Sequence, residues 1–205
     1  MAYLSVDHAS FHEAGHGSVG PIDVVVEPGQ IVLAVGGEGS GKTVLLRGCL
    51  GLAPPRGGRV CLFDQDLAGL DHDAMMSLRG RCALASAAAP LMANQSLFDN
   101  IALPLWMRGA PGAAHIVGEL LERLELTDVA TRRPDDVLPR ARDLALLARA
   151  LAVQADLYLL DEPPVSPAMR GLLHARIDAG AAALITVRHE ALFPEASRRV
   201  LLGAA

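Results

Sequence analysis

The sequence predicts an α/β fold: a core of largely parallel strands, an N-terminal antiparallel β part and an inserted helical subdomain. Three observations lead there. A glycine-rich stretch, GGEGSGKT at 36–43, stands directly after a β-branched apolar run and directly before residues with helical spacing. Two later runs, DLYLLDEPP and AALITVRHE, have the unbroken apolar character of short parallel strands covered on both faces. Between them and the first strands, from about 88 to 150, the pattern turns helical.

Taken in chain order, residues 22–35, IDVVVEPGQIVLAV, hold two β-branched runs parted by Pro28-Gly29, which predicts two strands joined by a tight turn. GGEGSGKT follows the second run. TVLLRGCLGL then places apolar residues at helical intervals, with Gly51 and Pro54-Pro55 as the stop. PPRGGRVCLFDQDL reads as a turn and a further strand. HIVGELLERLEL carries apolar residues at 116, 117, 120, 121 and 124, and residues 141–153 form a second helix. With 205 residues, no internal repeat and no low-complexity linker, the chain is expected to be one domain, 1–205, with the helical subdomain at about 88–150 inside it.

Composition narrows the functional classes. A formal charge of −5 gives no basic footprint for nucleic acid or an anionic membrane. Apolar residues make up 51%, yet no uninterrupted run is long enough to span a bilayer, and LALLARALAV is broken by Arg149. MAYLSVDHASFHE has neither the basic start nor the apolar core of a secretion signal. Cys49, Cys61 and Cys82 are an odd number without metal spacing, which fits reduced, small buried residues in the cytoplasm. His8, His12 and His16 recur every four residues, a metal face if helical, but Gly15 and Gly17 argue against that helix and for a loop between strands.

The chemistry gathers around the glycine-rich stretch. Gly36 and Gly41 bracket G-x-x-x-x-G-K-[ST], in the strand-to-helix context that gives this motif its meaning. Gly36, Gly37, Glu38, Gly39, Ser40 and Gly41 form the turn of a phosphate cradle, and the following helix adds the positive end of its dipole. Lys42 is the only lysine beside 17 arginines. A compact ammonium reaches β- and γ-phosphates where a guanidinium's planar fork prefers a bidentate partner. Thr43 is the expected Mg²⁺ ligand. No second lysine exists for an N/T-K-x-D guanine motif, which leaves adenine nucleotides or a base held without polar readout. Asp161 and Glu162 end the run LYLL, where one carboxylate can serve the Mg²⁺ shell and the next can orient an attacking water. His189, after LITVR, can contact a γ-phosphate.

These elements in this order resemble the ATP-binding subunit of ABC transporters, a P-loop NTPase fold, over residues 4–202. EPGQIVLAVGGEGSGKTVLLRGCLGL is similar to the family's Walker A segment, and RGGRVCLFDQDL to the strand after it. The resemblance implies ATP and Mg²⁺ as cofactors. It makes Asp161 the Walker B aspartate, Glu162 the catalytic glutamate, His189 the switch histidine and Phe11 the aromatic that stacks on adenine. It also implies a transmembrane permease partner, a second ATP-binding subunit, identical or different, and a place on the inner face of the membrane held through the permease. Within the family, PLMANQSLFDNIALPL and DEPPVSP look like ATPases of Mce-type (Mla-like) lipid transporters, which implies Mce-type substrate-binding proteins as further partners; NIALPL also resembles lipoprotein-release and macrolide-export ATPases. Trp106 then reads either as a permease-docking residue or as core.

The departures from the family pattern concern what one subunit lends the other. VLPRA at 137–141 stands where the family has LSGGQ, alanines fill the glutamine position near 87, and SPAMR replaces the aspartate-containing loop after Walker B. The resemblance implies a longer C-terminal extension after His189 than the residues that follow it here. The expectation is an ATPase of slow turnover as a homodimer, or one complete composite site with a regular partner. The alternative is a divergent ATP-binding module with little hydrolysis that regulates or supports the transporter. A small-molecule kinase is disfavoured by the wide separation of Lys42 from Asp161.

Overall fold

The computed structural model describes residues 1–15 and 17–203. Two compact units emerge. The first comprises Met1–Ala83, Ala155–Glu162 and the chain from Arg176 onward; the second comprises Leu84–Gln154 and Pro163–Ala175.

In the first unit, β1 (Leu4–Glu13) pairs antiparallel with β2 (Gly17–Val26) and with β4 (Pro55–Leu62), and the short β5 (Gln65–Asp66) closes a four-stranded sheet in the order β2-β1-β4-β5. The register of β1 shifts between Val6 and Ala9 against β2, and His8 sits in that irregularity with a positive φ of 46°. Such a bulge re-aims side chains along a strand. His8 and His12 are therefore strand residues and not loop residues, and the third histidine of that spacing, His16, lies outside the described residues. The backbone N–H of His8 donates to Asp23 of β2 over 2.8 Å.

The second sheet is parallel, in the order β6-β7-β8-β3-β9. β3 (Ile31–Val35) lies between β8 (Ala182–Val187) and β9 (Arg198–Leu201), and β7 (Leu157–Asp161) lies on the other side of β8. β6 (Cys82–Ala85) takes the far edge, its first two residues belonging to this unit. All six residues of β8 are buried, as are Leu157, Tyr158, Leu159 and Leu160 of β7, which explains their unbroken apolar sequence. Each fully buried Leu or Ile here contributes about 1.5–3 kcal/mol of transfer free energy.

The two runs on either side of Pro28-Gly29 are strands, as their residues predict, but β2 belongs to the antiparallel sheet and β3 to the parallel one. Gly29, at φ 76°, lets the chain turn from one sheet into the other. α1 (Lys42–Cys49) follows β3 through the glycine-rich loop, and α2 (His72–Gly80) is capped by the Asp71 carboxylate, which accepts from the Ala74 N–H over 2.8 Å.

The second unit is helical. α3 (Leu97–Met107) starts with a reciprocal cap: Ser96 Oγ accepts from the Asp99 N–H over 3.0 Å while the Asp99 carboxylate accepts from the Ser96 N–H over 3.4 Å. Its fully buried Asn100 donates to the carbonyls of Met92 and Ser96 and accepts from the Met92 N–H, tying the preceding loop to the helix. α4 (Ala113–Arg123) and α5 (Pro139–Ala152) pack with α3 around Val117, Leu120, Leu144 and Leu147. α6 (Pro167–Asp178), whose residues to Ala175 belong to this unit, is capped by Ser166, whose hydroxyl accepts from the Met169 N–H over 3.1 Å. Trp106 is 49% exposed and Met107 81%, so Trp106 is not a core residue.

Candidate functional site

Three neighbouring strands, β3, β8 and β7, deliver the predicted polar residues to one edge. The register pairs Val35 with Val187 and Asp161 with Thr186, so the residues that follow each strand start from adjacent positions. Ligands of open parallel sheets bind outside such carboxyl ends. Gly36 N–H donates to the Val187 carbonyl over 3.0 Å and Glu162 N–H to the Thr186 carbonyl over 3.1 Å, extending the ladder into the loops.

The loop from Gly36 to Thr43 is shaped by two close approaches. Gly41 caps α1 at φ 82°, and a Cβ there would stand 2.5 Å from the Ser18 carbonyl oxygen. A Cβ at Gly36 would overlap the Ser40 side chain, whose hydroxyl donates to the Gly37 carbonyl over 2.9 Å. No side chain caps α1, so its first N–H groups are left to whatever the loop encloses. Gly37, Glu38 and Gly39 are exposed, while Ser40 and Lys42 are buried.

Lys42, only 6% exposed, donates to the Gly36 carbonyl over 2.7 Å and to the Gly37 carbonyl, and its ammonium lies 3.2 Å from Glu162 Oε1. A buried ammonium persists only when its donors are matched, and these three acceptors match them. Thr43 donates its hydroxyl to Asp161 Oδ2 over 2.7 Å. Thr186, fully buried, donates to Asp161 Oδ1 over 2.8 Å, and its hydroxyl also lies 3.1 Å from the Glu162 N–H. Two hard oxygen donors, Thr43 Oγ1 and a carboxylate, thus meet at one point with the carboxylate orientation fixed from behind, a donor set that fits Mg²⁺.

Glu162 carries a positive φ of 43°, unusual for a residue with a Cβ and held here by the hydrogen bonds of its N–H to Thr186. Arg188 Nε donates to Glu162 Oε2 over 2.8 Å, and Arg188 Nη1 comes within 3.9 Å of Glu38 in the loop. Partial burial pushes the Glu162 carboxyl up, but hydrogen bonds from Arg188 and Lys42, together with their charges, outweigh it and leave the group below the usual carboxylate range. His189, next in sequence, is exposed.

The structure thus brings Gly36–Thr43, Asp161 and Glu162 together and places His189 at the end of the adjacent strand. It leaves Phe11 almost wholly buried. That ring is 1% exposed and packs against Gly48 of α1, where even a Cβ would overlap it. Phe11 is a core residue, and the adenine-stacking role the resemblance implies conflicts with this burial. Beside β1 and β2 lies a cavity of about 460 Å³ with Ser10, His12, Ser18 and Arg56 in its wall; Phe11 also belongs to that wall, but with only 1% of its surface exposed. Thr186 lies within β8 and Arg188 directly follows it, and neither belongs to the glycine-rich or acidic motifs that mark the site in the sequence.

The remaining predicted features fall elsewhere. In the second unit, Leu138 of VLPRA is 78% exposed and Pro139 occupies the first turn of α5, with no side-chain cap. Ala87 is exposed, and the loop after it is tied down by Arg149, which donates to the Pro90 carbonyl over 2.9 Å and to that of Ala89. SPAMR supplies the Ser166 cap and first turn of α6.

The ABC transporter family model matches residues 19–165. The chain belongs to this family. ABC cassettes bind ATP with Mg²⁺. The cassette is 32% identical over 144 residues to the methionine import ATP-binding protein MetN of Xanthomonas euvesicatoria pv. vesicatoria, covering 69% of this chain and 43% of that protein. It is 31% identical over 160 residues to MetN 2 of Pseudomonas aeruginosa, covering 76% and 48%. The cassette therefore spans less than half the length of these curated relatives. Its fold matches the dimeric post-hydrolysis ATP-binding cassette MJ0796 bound to ADP and Pi, with a TM-score of 0.84 at 19% identity over 98% of this chain and 94% of that one. A second ABC transporter ATP-binding subunit matches with a TM-score of 0.82 at 20% identity, covering 98% and 86%. Among the described residues no helix is long and apolar enough to cross a membrane.

Proposed function

We propose that the cassette binds MgATP at Gly36–Thr43 and couples its binding and hydrolysis to transport through a membrane permease. The observation that carries this reading is the convergence of Lys42, Thr43, Asp161 and Glu162 through contacts of 3.2 Å and 2.7 Å. Lys42 and the N–H groups at the start of α1 hold the phosphates. Thr43 and Asp161 hold Mg²⁺, with Thr186 fixing the carboxylate. The ion supplies neutralisation of the phosphate charge. Glu162 orients the attacking water, and His189 contacts the γ-phosphate. The alternative, a module that binds ATP but turns over little, draws on the uncapped start of α5 at Leu138-Pro139 and predicts a bound nucleotide without turnover.

Leu138-Pro139 would lend a partner no hydroxyl and one N–H fewer. We infer a second cassette that supplies a serine-bearing helix start, with the permease engaging exposed residues such as Trp106 and holding the assembly at the cytoplasmic membrane face. Cargo is chosen by the permease. The lipid reading rests on the segments PLMANQSLFDNIALPL and DEPPVSP, and the MetN relatives carry the name of methionine import instead. The test is ATP turnover of the complex that co-purifies with the chain: Glu162→Gln is expected to lower it at least about 100-fold. Unchanged turnover would remove hydrolysis at this site from the proposal.

A further inference from the structure

We propose that Arg188 binds the terminal phosphate of a nucleoside triphosphate together with Lys42, exchanging the Glu162 carboxylate for it. The inference rests on the nucleotide-binding reading above and adds a residue that sets the preference for triphosphate over diphosphate.

Two cations converge on one carboxylate here: Lys42 Nζ stands 3.2 Å from Glu162 Oε1, and Arg188 Nε 2.8 Å from Glu162 Oε2. Lys42 is rooted in the glycine-rich loop. Arg188 is rooted at the end of β8, directly after Val187, whose carbonyl accepts the Gly36 N–H over 3.0 Å. Arg188 also leans over the loop, its Nη1 within 3.9 Å of Glu38. The guanidinium thus spans from the far side of the site to the loop that starts the cradle. A phosphate that Lys42 grips presents its outer oxygens to the same neighbourhood, as the Glu162 carboxylate does.

The pairing is suited to exchange. Half of the Arg188 side chain and a third of the Glu162 side chain are exposed, at 52% and 34%, and an ion pair open to water is weakly held. A terminal phosphate carries more charge than a carboxylate and offers three oxygens to the planar fork, so the fork gains from the substitution. A diphosphate in the same cradle ends one group short and leaves Arg188 with Glu162. An arginine supplied by the same chain can serve a γ-phosphate in this way in other P-loop proteins. Once released, Glu162 is free of one of its two cations and can turn toward a water.

The experiment is equilibrium binding of the β,γ-imido analogue of ATP and of ADP, each with Mg²⁺, to the full chain and to Arg188→Ala, Arg188→Lys and Lys42→Ala. Arg188→Ala is expected to weaken the triphosphate analogue about tenfold or more while ADP affinity holds, and Arg188→Lys to recover part of that loss. Unchanged ADP affinity also reports an intact fold. Equal weakening of both nucleotides, or of neither, overturns the proposal. If the unaltered chain binds neither nucleotide, the underlying nucleotide reading fails, and this inference with it. That outcome differs visibly from a normal parent with an insensitive Arg188 variant.

Discussion

Thr43 donates its hydroxyl to Asp161 over 2.7 Å and so joins the first turn of α1 to the end of β7. The contact links the glycine-rich loop to the carboxylate arriving more than a hundred residues later. Its consequence is tested by Asp161→Asn, which keeps the shape and removes the charge. Mg²⁺-dependent nucleotide affinity should fall about 10- to 100-fold. Affinity in excess chelator should change far less, and titration with and without Mg²⁺ separates the two.

Thr186 supports both acids of the β7 end from a fully buried position. Thr186→Val preserves volume but leaves Asp161 Oδ1 without that donor. Urea unfolding should show a loss of about 1.5–3 kcal/mol, the usual contribution of a hydrogen bond to a charged group.

Phe11 is a core side chain, and its removal should behave as one. Phe11→Ala is expected to cost about 3–5 kcal/mol in unfolding free energy. The preference for adenine over guanine nucleotides, measured on the folded fraction, should stay as it is. A selective loss of adenine preference at unchanged stability would return Phe11 to the nucleotide site.

Glu162 has a carboxyl held below its usual range, so its charge contributes stability above its unfolded value, near 4.3, and that contribution disappears as pH falls through the lower folded value. The unaltered chain and Glu162→Gln should therefore differ most near neutral pH and converge on acidification. Thermal melts from pH 7 to pH 3 would show it.

Burial pushes the Cys82 thiol up to about 12 and the Cys49 thiol higher still, while Cys61 is only partly covered. The thiolate is the reactive form. Alkylation at neutral pH followed by mass analysis should label Cys61 first and leave Cys49 and Cys82 intact until the chain unfolds.

What the sequence discloses here is what local pattern can specify. The loop at 36–43, the strands at 157–161 and 182–187 and the helix around 141–153 all announce themselves by spacing and by runs of apolar residues. β6 escapes because CALA is too short to show a period, and α3 because Pro104 interrupts an otherwise helical stretch. That β2 and β3 enter different sheets is a matter of partners, which adjacent residues do not encode. Arg188 and Thr186 acquire meaning only once β8 lies between β3 and β7, and Phe11 loses its expected place because the bulge in β1 and the small Gly48 draw its ring inward.

On the reading proposed above, Lys42 and its loop hold the phosphates of ATP. The decisive measurement is calorimetric titration of MgATP into the full chain and into Lys42→Ala. The unaltered chain should show saturable one-to-one binding and the variant a loss of about 100-fold or more, with the fold intact by circular dichroism. Equal affinity in the two proteins would contradict it.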